Sequence, residues 1–265
     1  GAALVAQLMI GVLEPASYVS YNILAILCCA SVLPLMLTKT RAPTAEKAPR
    51  LRPWKVLKLS PLAAAGVIVA GVTTPAFRMV GPIYGQEVGL RADQIGLFLA
   101  AAVLGGALAQ VPAGWLADRF DRRHVLIGVS VAAAVVSTGI TLLGPGSQTL
   151  IFAASFLFGL VSLPVFSISA AHANDFATPE QAVEVSAGLM FLYGLGAIAA
   201  PLLGSALIAH FGPGSLFAMI TAAHLALIAF GVIRMRVRAT SATRTRYSYV
   251  PRTSFLVGRL LGRRR

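Results

Sequence analysis

Residues 114–123 hold a dense cluster of charge whose chemistry is ion pairing. The stretch reads Gly-Trp-Leu-Ala-Asp-Arg-Phe-Asp-Arg-Arg and lies between two long apolar runs. Asp118 ends the first run close to the start of the second, where its carboxylate can cap backbone N–H groups and meet the positive end of a helix. Arg119, Arg122 and Arg123 can pair with this carboxylate or with lipid phosphate. The alternative is a cluster that only sets orientation and faces lipid.

A second candidate is Arg78, an isolated cation inside the apolar run of residues 61–84. An arginine at the centre of a bilayer costs about 2.5–3.5 kcal/mol on insertion scales, so it is a functional hypothesis by default. Arg78 lies about 26 Å into the run at 1.5 Å per residue, near one interface, where its long side chain can also reach the headgroups. A solute contact and a structural or interfacial role therefore both stay open. Thr74 and Tyr84 are weaker candidates in the same run.

The third candidate region holds Ser167, Ser169, His172 and Asp175. The two serines are two positions apart, so they do not share a helix face. His172 and Asp175 are three apart and can pair, and a histidine beside a carboxylate can relay a proton near neutral pH. The alternative is the polar end of a helix at the membrane interface.

Composition places these residues in a membrane protein. The chain is 57% hydrophobic and 12% charged, with a mean hydropathy of +0.80, whereas a soluble domain carries about 25% charged residues. Apolar runs of about 20 residues are what helices need to cross the hydrocarbon core. We therefore predict an all-α, polytopic membrane protein with seven complete spans after a partial span at 1–13. The complete spans are 18–38, 61–84, 94–117, 125–143, 149–171, 185–209 and 216–233.

The positive charge marks one side of the membrane. Of the 22 Lys and Arg residues, seven lie in 39–58, three in 119–123 and ten in 234–265. Cytoplasmic loops carry such an excess, so these segments and the C-terminus are predicted to be cytoplasmic in a cell membrane. The net charge of +13 then indicates anionic lipid at the basic loops and tail, and not nucleic acid. Residues 172–184 are acidic, and we expect these acids to face basic groups of the other cytoplasmic loops.

The pattern Gly-x-Leu-Ala-Asp-Arg-x-x-Arg-Arg, which begins at Gly114, resembles the loop signature of the major facilitator superfamily. It departs from the family at Asp121, where glycine is usual, so the geometry of the turn is in question. The resemblance implies that 61–233 is the second six-helix bundle of a transporter and that 1–38 is the remnant of the first. Residues 39–60 are then the cytoplasmic linker and 234–265 a basic cytoplasmic tail. Residues 171–175 and 251–254 further resemble a YcaD-like branch.

The same resemblance implies secondary active transport of a small-molecule substrate by alternating access. In that family the signature forms a latch that holds the inner side shut, here with a helix of the first bundle, for instance residues 1–13. The implied latch residues are Gly114, Asp118, Arg119, Arg122 and Arg123. The implied cavity residues are Arg78, Thr74, Tyr84, Ser167 and Ser169. The alternative function is a sensor or assembly protein that is built on a transporter scaffold and moves no solute.

An enzymatic function has no support in these residues. The sequence contains no Gly-rich phosphate loop, no cluster with metal-ligand spacing and no nucleophile triad. No complete carboxylate pair lies within a predicted span. We therefore expect neither a metal nor an organic cofactor.

Overall fold

The computed structural model describes residues 17–36, 52–142 and 148–237. These residues form nine α-helices and one short 3-10 helix, with no strand among them. The helices are α1 Tyr18–Met36, α2 Pro53–Leu59, α3 Pro61–Glu87, α4 Ala92–Arg119, α5 Arg122–Leu142, α6 Gln148–Ser162, α7 Pro164–Asn174, α8 Ala182–Phe211 and α9 Ser215–Val237.

Six helical segments of the described chain are long and apolar enough to cross a membrane. They are α3, α4, α5, the α6–α7 pair, α8 and α9. This confirms the all-α, polytopic class and six of the predicted spans. Helix α1 is an apolar helix of 19 residues whose apolar part is shorter than the six. The partial span at 1–13 and the turn at 144–146 lie outside the described residues.

The span predicted as one helix at 149–171 is interrupted at Leu163. Helix α6 ends at Ser162 and α7 begins at Pro164. Proline has no backbone N–H to donate to the preceding turn, so the hydrogen-bond ladder breaks there. Leu163 nevertheless keeps helical angles (φ −66°, ψ −31°), so the two helices follow one path across the bundle.

An aromatic cluster fills one end of the core. Phe77 and Phe158 lie 4.8 Å apart between ring centroids, and Phe158 meets Phe217 edge-on at 5.5 Å. Tyr84 belongs to this cluster, because its ring lies 4.9 Å from Phe217 and 5.7 Å from Phe98. Its side chain is fully buried. Tyr84 therefore packs within the core, and its role in a solute cavity stays a prediction.

Glycines let two helix pairs approach closely. A Cβ added to Gly71 on α3 would lie 2.2 Å from the carbonyl oxygen of Tyr193 on α8. A Cβ added to Gly159 on α6 would lie 1.8 Å from the carbonyl oxygen of Ala102 on α4. Gly196, in the Gly-rich part of α8, likewise packs against the α3 backbone. Small residues at such crossings give membrane helices the van der Waals contact that holds them together.

Helix α2 in the linker packs against the bundle. Val56 is completely buried and touches α8, where a Cβ on Gly188 would lie 2.5 Å from its Cγ2. Lys55 Nζ donates to Glu184 Oε2 at 2.9 Å on the same helix. Trp54 stays exposed beside them. The end of the predicted linker is thus a short helix whose apolar side lies on α8.

Candidate functional site

The charged stretch lies at one end of the bundle, which we call the signature face. Helix α4 ends there at Arg119 and α5 begins there at Arg122. Helix α7 ends at the same face, and α3 and α8 begin there, because consecutive spans run in opposite directions. Chain segments far apart in sequence therefore meet around the loop.

Arg122 is the centre of this face. It is only 7% exposed, and its guanidinium donates to Asp118 Oδ1 at 3.1 Å and to the carboxylate of Asp175. It also donates to the carbonyl oxygens of Ala171 at 3.0 Å and Ala117 at 3.3 Å. A buried cation is tolerated when it is paired and its donors are satisfied. Arg122 thus ties the end of α4 and the start of α5 to the end of α7.

Asp121 shapes the turn itself. It precedes α5, and its Oδ1 accepts from the backbone N–H of Arg123 at 3.0 Å, which is the geometry of a helix N-cap. Its Oδ2 accepts from Arg123 Nη2 at 2.9 Å. Burial raises the pKa of Asp121, but the hydrogen bonds and charge of Arg123 outweigh it and hold the pKa at about 2. The residue that departs from the family pattern therefore caps the helix, a role that the sequence assigned to Asp118.

The other latch candidates face outward. Gly114 is exposed, and nothing lies within 4 Å of a Cβ built on it. Arg119 lies over the ring of Trp115 at 5.3 Å from its centroid. The proposed partner of the latch, residues 1–13, lies outside the described residues. The latch therefore stays a prediction, with Gly114 and Arg119 on its open side.

The acidic segment behaves as the sequence predicted for two of its members. Asp175 pairs with Arg122, and Glu184 pairs with Lys55 of the linker helix. Both partners belong to basic segments at the same face. The acids therefore fit this face despite their sign.

His172 does not form the predicted pair with Asp175. The Asp175 carboxylate bonds to Arg122 instead, and the His172 ring packs edge-on against Phe176 with 5.3 Å between centroids. The reason is that the Arg122 guanidinium lies against the end of α7, where it also donates to the carbonyl oxygen of Ala171. A proton relay through His172 therefore stays a prediction without its expected partner.

The cavity candidates separate into two groups. Thr74 and Arg78 line one pocket, together with Val103 on α4 and Gly159 and Leu163 at the α6–α7 break. We call this the Arg78 pocket. Arg78 is exposed and forms no ion pair with any residue that the structure describes. A cation is thus available at the edge of an apolar bundle.

The serines of α7 do not line the Arg78 pocket. Ser167 is exposed and Ser169 is buried, which agrees with the prediction that they face different ways. Ser169 lies against α3, where a Cβ on Gly66 would stand 2.2 Å from its Oγ. Ser169 is therefore a packing residue, while Ser167 stays available as a surface contact.

Two features of the site were not predicted from the sequence. Asp121 directly precedes an apolar helix, which is an N-cap signal that could have been used. The break at Pro164 carried no comparable signal, since a proline within a span does not always end the helix.

Comparison with known proteins shows which family the chain belongs to. A family model described as Major Facilitator Superfamily matches residues 64–255. The chain belongs to this superfamily. An "Uncharacterized MFS-type transporter" from Yersinia pestis (strain Pestoides F) is 25% identical over 251 residues, which cover 93% of this chain. The predicted superfamily membership is therefore confirmed, and the chain is part of a multi-pass membrane protein of this type.

Two further relatives carry the name YcaD, as the sequence suggested. The protein from Escherichia fergusonii is 26% identical over 199 residues, and the one from Shigella flexneri serotype 5b is 29% identical over 196 residues. Each alignment covers 73% of this chain and 50% of the relative. The chain spans 62% of the Yersinia relative, so it corresponds to a part of these longer superfamily proteins.

Proposed function

We propose that the protein is a secondary active transporter that moves a small solute across the cell membrane by alternating access. The Arg78 pocket supplies one side of the solute path. The observation that carries this proposal is Arg78 itself, an exposed cation without an ion-pair partner among the described residues, on a helix long and apolar enough to span the membrane. Superfamily membership supports the transporter class.

The position of the pocket supports a binding role. Arg78 lies about 26 Å from the start of α3, and Gly159 lies about 17 Å from the start of α6, at 1.5 Å per residue. The helix break at Leu163 contributes to the same pocket. Breaks in spanning helices are a recurrent way in which transporters build solute sites, because a break leaves backbone groups available. An anionic solute is the best match to an arginine without a counter-charge.

We further propose the orientation and the division of the chain. The signature face is cytoplasmic, since the charge of 39–58, 119–123 and 234–265 is overwhelmingly basic. Residues 61–233 form the second six-helix bundle, 1–38 belong to the first, and 39–60 connect the two. The exposed side of Gly114 and Arg119 is where the first bundle closes the cytoplasmic side, and anionic lipid surrounds the basic tail.

Counterflow in proteoliposomes tests the proposal. Proteoliposomes that contain the protein are loaded with an unlabelled solute, and the uptake of a labelled form of that solute is followed. The panel of solutes contains organic anions, organic cations and neutral sugars. We expect transient accumulation of at least one anion, a loss of at least about tenfold with Arg78→Ala, and partial retention with Arg78→Lys, because a charged hydrogen bond contributes about 1.5–3 kcal/mol.

A matched control separates the pocket from charge in general. Arg91 is exposed and pairs with Asp93 at 2.6 Å in a connection away from the pocket, so Arg91→Ala should leave counterflow unchanged. A protein that shows no counterflow with any solute would support the sensor instead. Accumulation that is equally strong in Arg78→Ala would keep the transporter and remove Arg78 from the solute path.

A further inference from the structure

A second pocket lies at the signature face, away from the Arg78 pocket. Its walls come from four spanning segments, with Ser60 and Leu62 at the start of α3, Arg123 on α5, His172 on α7 and Arg234 on α9. Pro61 and Phe176 complete the lining. We call it the His172 pocket. No acidic residue of the described chain lines it, and the transport proposal makes no use of it.

One cationic side chain of the His172 pocket has no ion-pair partner among the described residues. Asp121 compensates Arg123 through hydrogen bonds, and Asp175 is paired with Arg122. Arg234 is half-buried and forms no ion pair with a described residue. The pocket therefore presents one uncompensated guanidinium beside a second that is already paired. Guanidinium groups match the oxygens of phosphate in both charge and shape.

Two buried polar side chains of the pocket lack hydrogen-bond partners within the described chain. Ser60 is only 1% exposed, and its hydroxyl forms no capping bond with α3. His172 is 5% exposed, and its ring forms an aromatic contact with Phe176 rather than a hydrogen bond. Buried polar groups are almost always hydrogen-bonded in folded proteins. Both side chains line the pocket, and neither is among the polar atoms that are sealed from solvent without a partner, so both can donate to a group bound there.

The start of α3 adds donors at the same place. Helix α3 has 27 residues and begins with Pro61 behind Ser60. Pro61 has no N–H, the N–H of Ser60 donates to Val56 and that of Ala64 donates to Ser60, so the N–H groups of Leu62 and Ala63 are the ones without an intrahelical acceptor. The helix dipole favours an anion at this end. Leu62 of this first turn lines the pocket. The helix end, the hydroxyl, the imidazole and Arg234 thus surround one small volume.

We propose that the His172 pocket binds a phosphate group, carried either by the headgroup of a membrane phospholipid or by a free phosphorylated molecule. Arg234 provides the main charge, Arg123 a second guanidinium, and Ser60 and His172 neutral donors. An imidazole carries one N–H in either neutral tautomer and a hydroxyl can always donate, so neither group needs to be charged. Because Pro61 begins a membrane span, the pocket lies at the level where lipid headgroups pass.

Native mass spectrometry and equilibrium binding on the purified protein distinguish the two sources. In the lipid arm, delipidated protein receives phosphatidylglycerol or diacylglycerol with the same acyl chains, which lacks the phosphate. In the soluble arm, it receives labelled glycerol 3-phosphate. Whichever of the two phosphate probes binds, Arg234→Gln should weaken its binding by about tenfold or more, as expected for the loss of a charged hydrogen bond. Ser60→Ala should weaken it by about two- to tenfold, as expected for a neutral hydrogen bond.

Arg236→Gln is the matched control. Arg236 is an exposed arginine on the last turn of α9, the helix that carries Arg234. It does not line the pocket, so the Arg236→Gln variant should bind the probe as the unmodified protein does. Retention of phosphatidylglycerol that depends on Arg234 assigns the site to lipid, and glycerol 3-phosphate binding that depends on it assigns the site to a free ligand. Equal binding by all variants, equal retention of diacylglycerol, or no binding of either probe would overturn the proposal. Elution as a single folded species is checked for each variant before binding is measured.

Discussion

Arg122 and Asp175 form a buried ion pair between residues 53 positions apart in the chain. Their side chains are 8% and 7% exposed, so water compensates neither charge. The pair joins the start of α5 to the end of α7 and passes directly behind the signature loop. The loop is therefore held from inside the bundle, whatever contacts its outer side makes.

Removal of Arg122 should destabilise the bundle strongly. Arg122→Ala leaves the buried Asp175 carboxylate without its cation, and breaking a buried pair in this way costs about 3–5 kcal/mol. Thermal unfolding of the purified protein measures the loss. Arg119→Ala is the control, because that side chain is exposed and its removal should cost about 1 kcal/mol or less. The double variant Arg122→Met with Asp175→Leu should recover most of the loss. Equal melting temperatures of Arg122→Ala and Arg119→Ala would contradict the central role of Arg122.

Asp121 should make stability depend on pH in the acid range. Its pKa is lowered from 3.8 to about 2, so the folded state favours the carboxylate. The resulting stabilisation is complete above the unfolded pKa and is lost as the pH falls through about 2. The stability difference between the unmodified protein and Asp121→Asn should therefore be constant from pH 7 to 5 and shrink towards pH 2. Thermal unfolding across this range measures it, and a difference that grows on acidification would refute the assignment.

Most of the fold could be predicted because helices that span a membrane appear in the sequence as apolar runs of about 20 residues. The last span, predicted at 216–233, is α9 at Ser215–Val237. The break at Pro164 could not be predicted in the same way. Pro112 and Pro201 lie inside α4 and α8 without interrupting them, so a proline alone does not decide whether a span divides. That outcome depends on the neighbouring helices.

The site was harder to predict because burial, and not residue type, separates its arginines. Three arginines of the signature look equivalent in sequence. In the structure Arg122 is buried under α7, Arg123 holds Asp121, and Arg119 lies on Trp115. The choice depends on Asp175, which no local pattern connects to the loop.

The contact between α4 and α6 should tolerate no side chain at Gly159. In Gly159→Ala the new Cβ would stand 1.8 Å from the Ala102 carbonyl oxygen, and a backbone atom cannot rotate away. Overpacking typically costs about 1–3 kcal/mol, and we expect the upper end or a failure to fold. Gly139→Ala on α5 is the control, because nothing lies within 4 Å of its Cβ. Yield and thermal unfolding decide, and equal behaviour of the two variants would reject the close crossing.

The linker helix α2 should be held by Val56 more than by its ion pair. Val56→Ala removes completely buried methyl groups, which costs about 1–3 kcal/mol. Lys55→Ala removes a partner whose side chain is 45% exposed, and such pairs contribute about 0–1 kcal/mol. Trypsin cleavage after Lys58 reports local opening of the helix. We expect faster cleavage in Val56→Ala than in Lys55→Ala, and the reverse order would show that the ion pair dominates.

Gly114 offers the sharpest test of the latch, because its role can be separated from folding. Gly114 is exposed, with nothing within 4 Å of a built Cβ, so Gly114→Leu disturbs no packing among the described residues. If the first bundle closes against this surface, a leucine side chain there prevents closure, and counterflow should fall at least about tenfold while thermal unfolding stays within about 0.5 kcal/mol. Gly128→Leu is the matched control, since it is equally open but lies a turn and a half into α5, and it should transport normally. Normal transport by Gly114→Leu would leave the signature with only its internal role, in which Arg122 holds α7 and Asp121 caps α5.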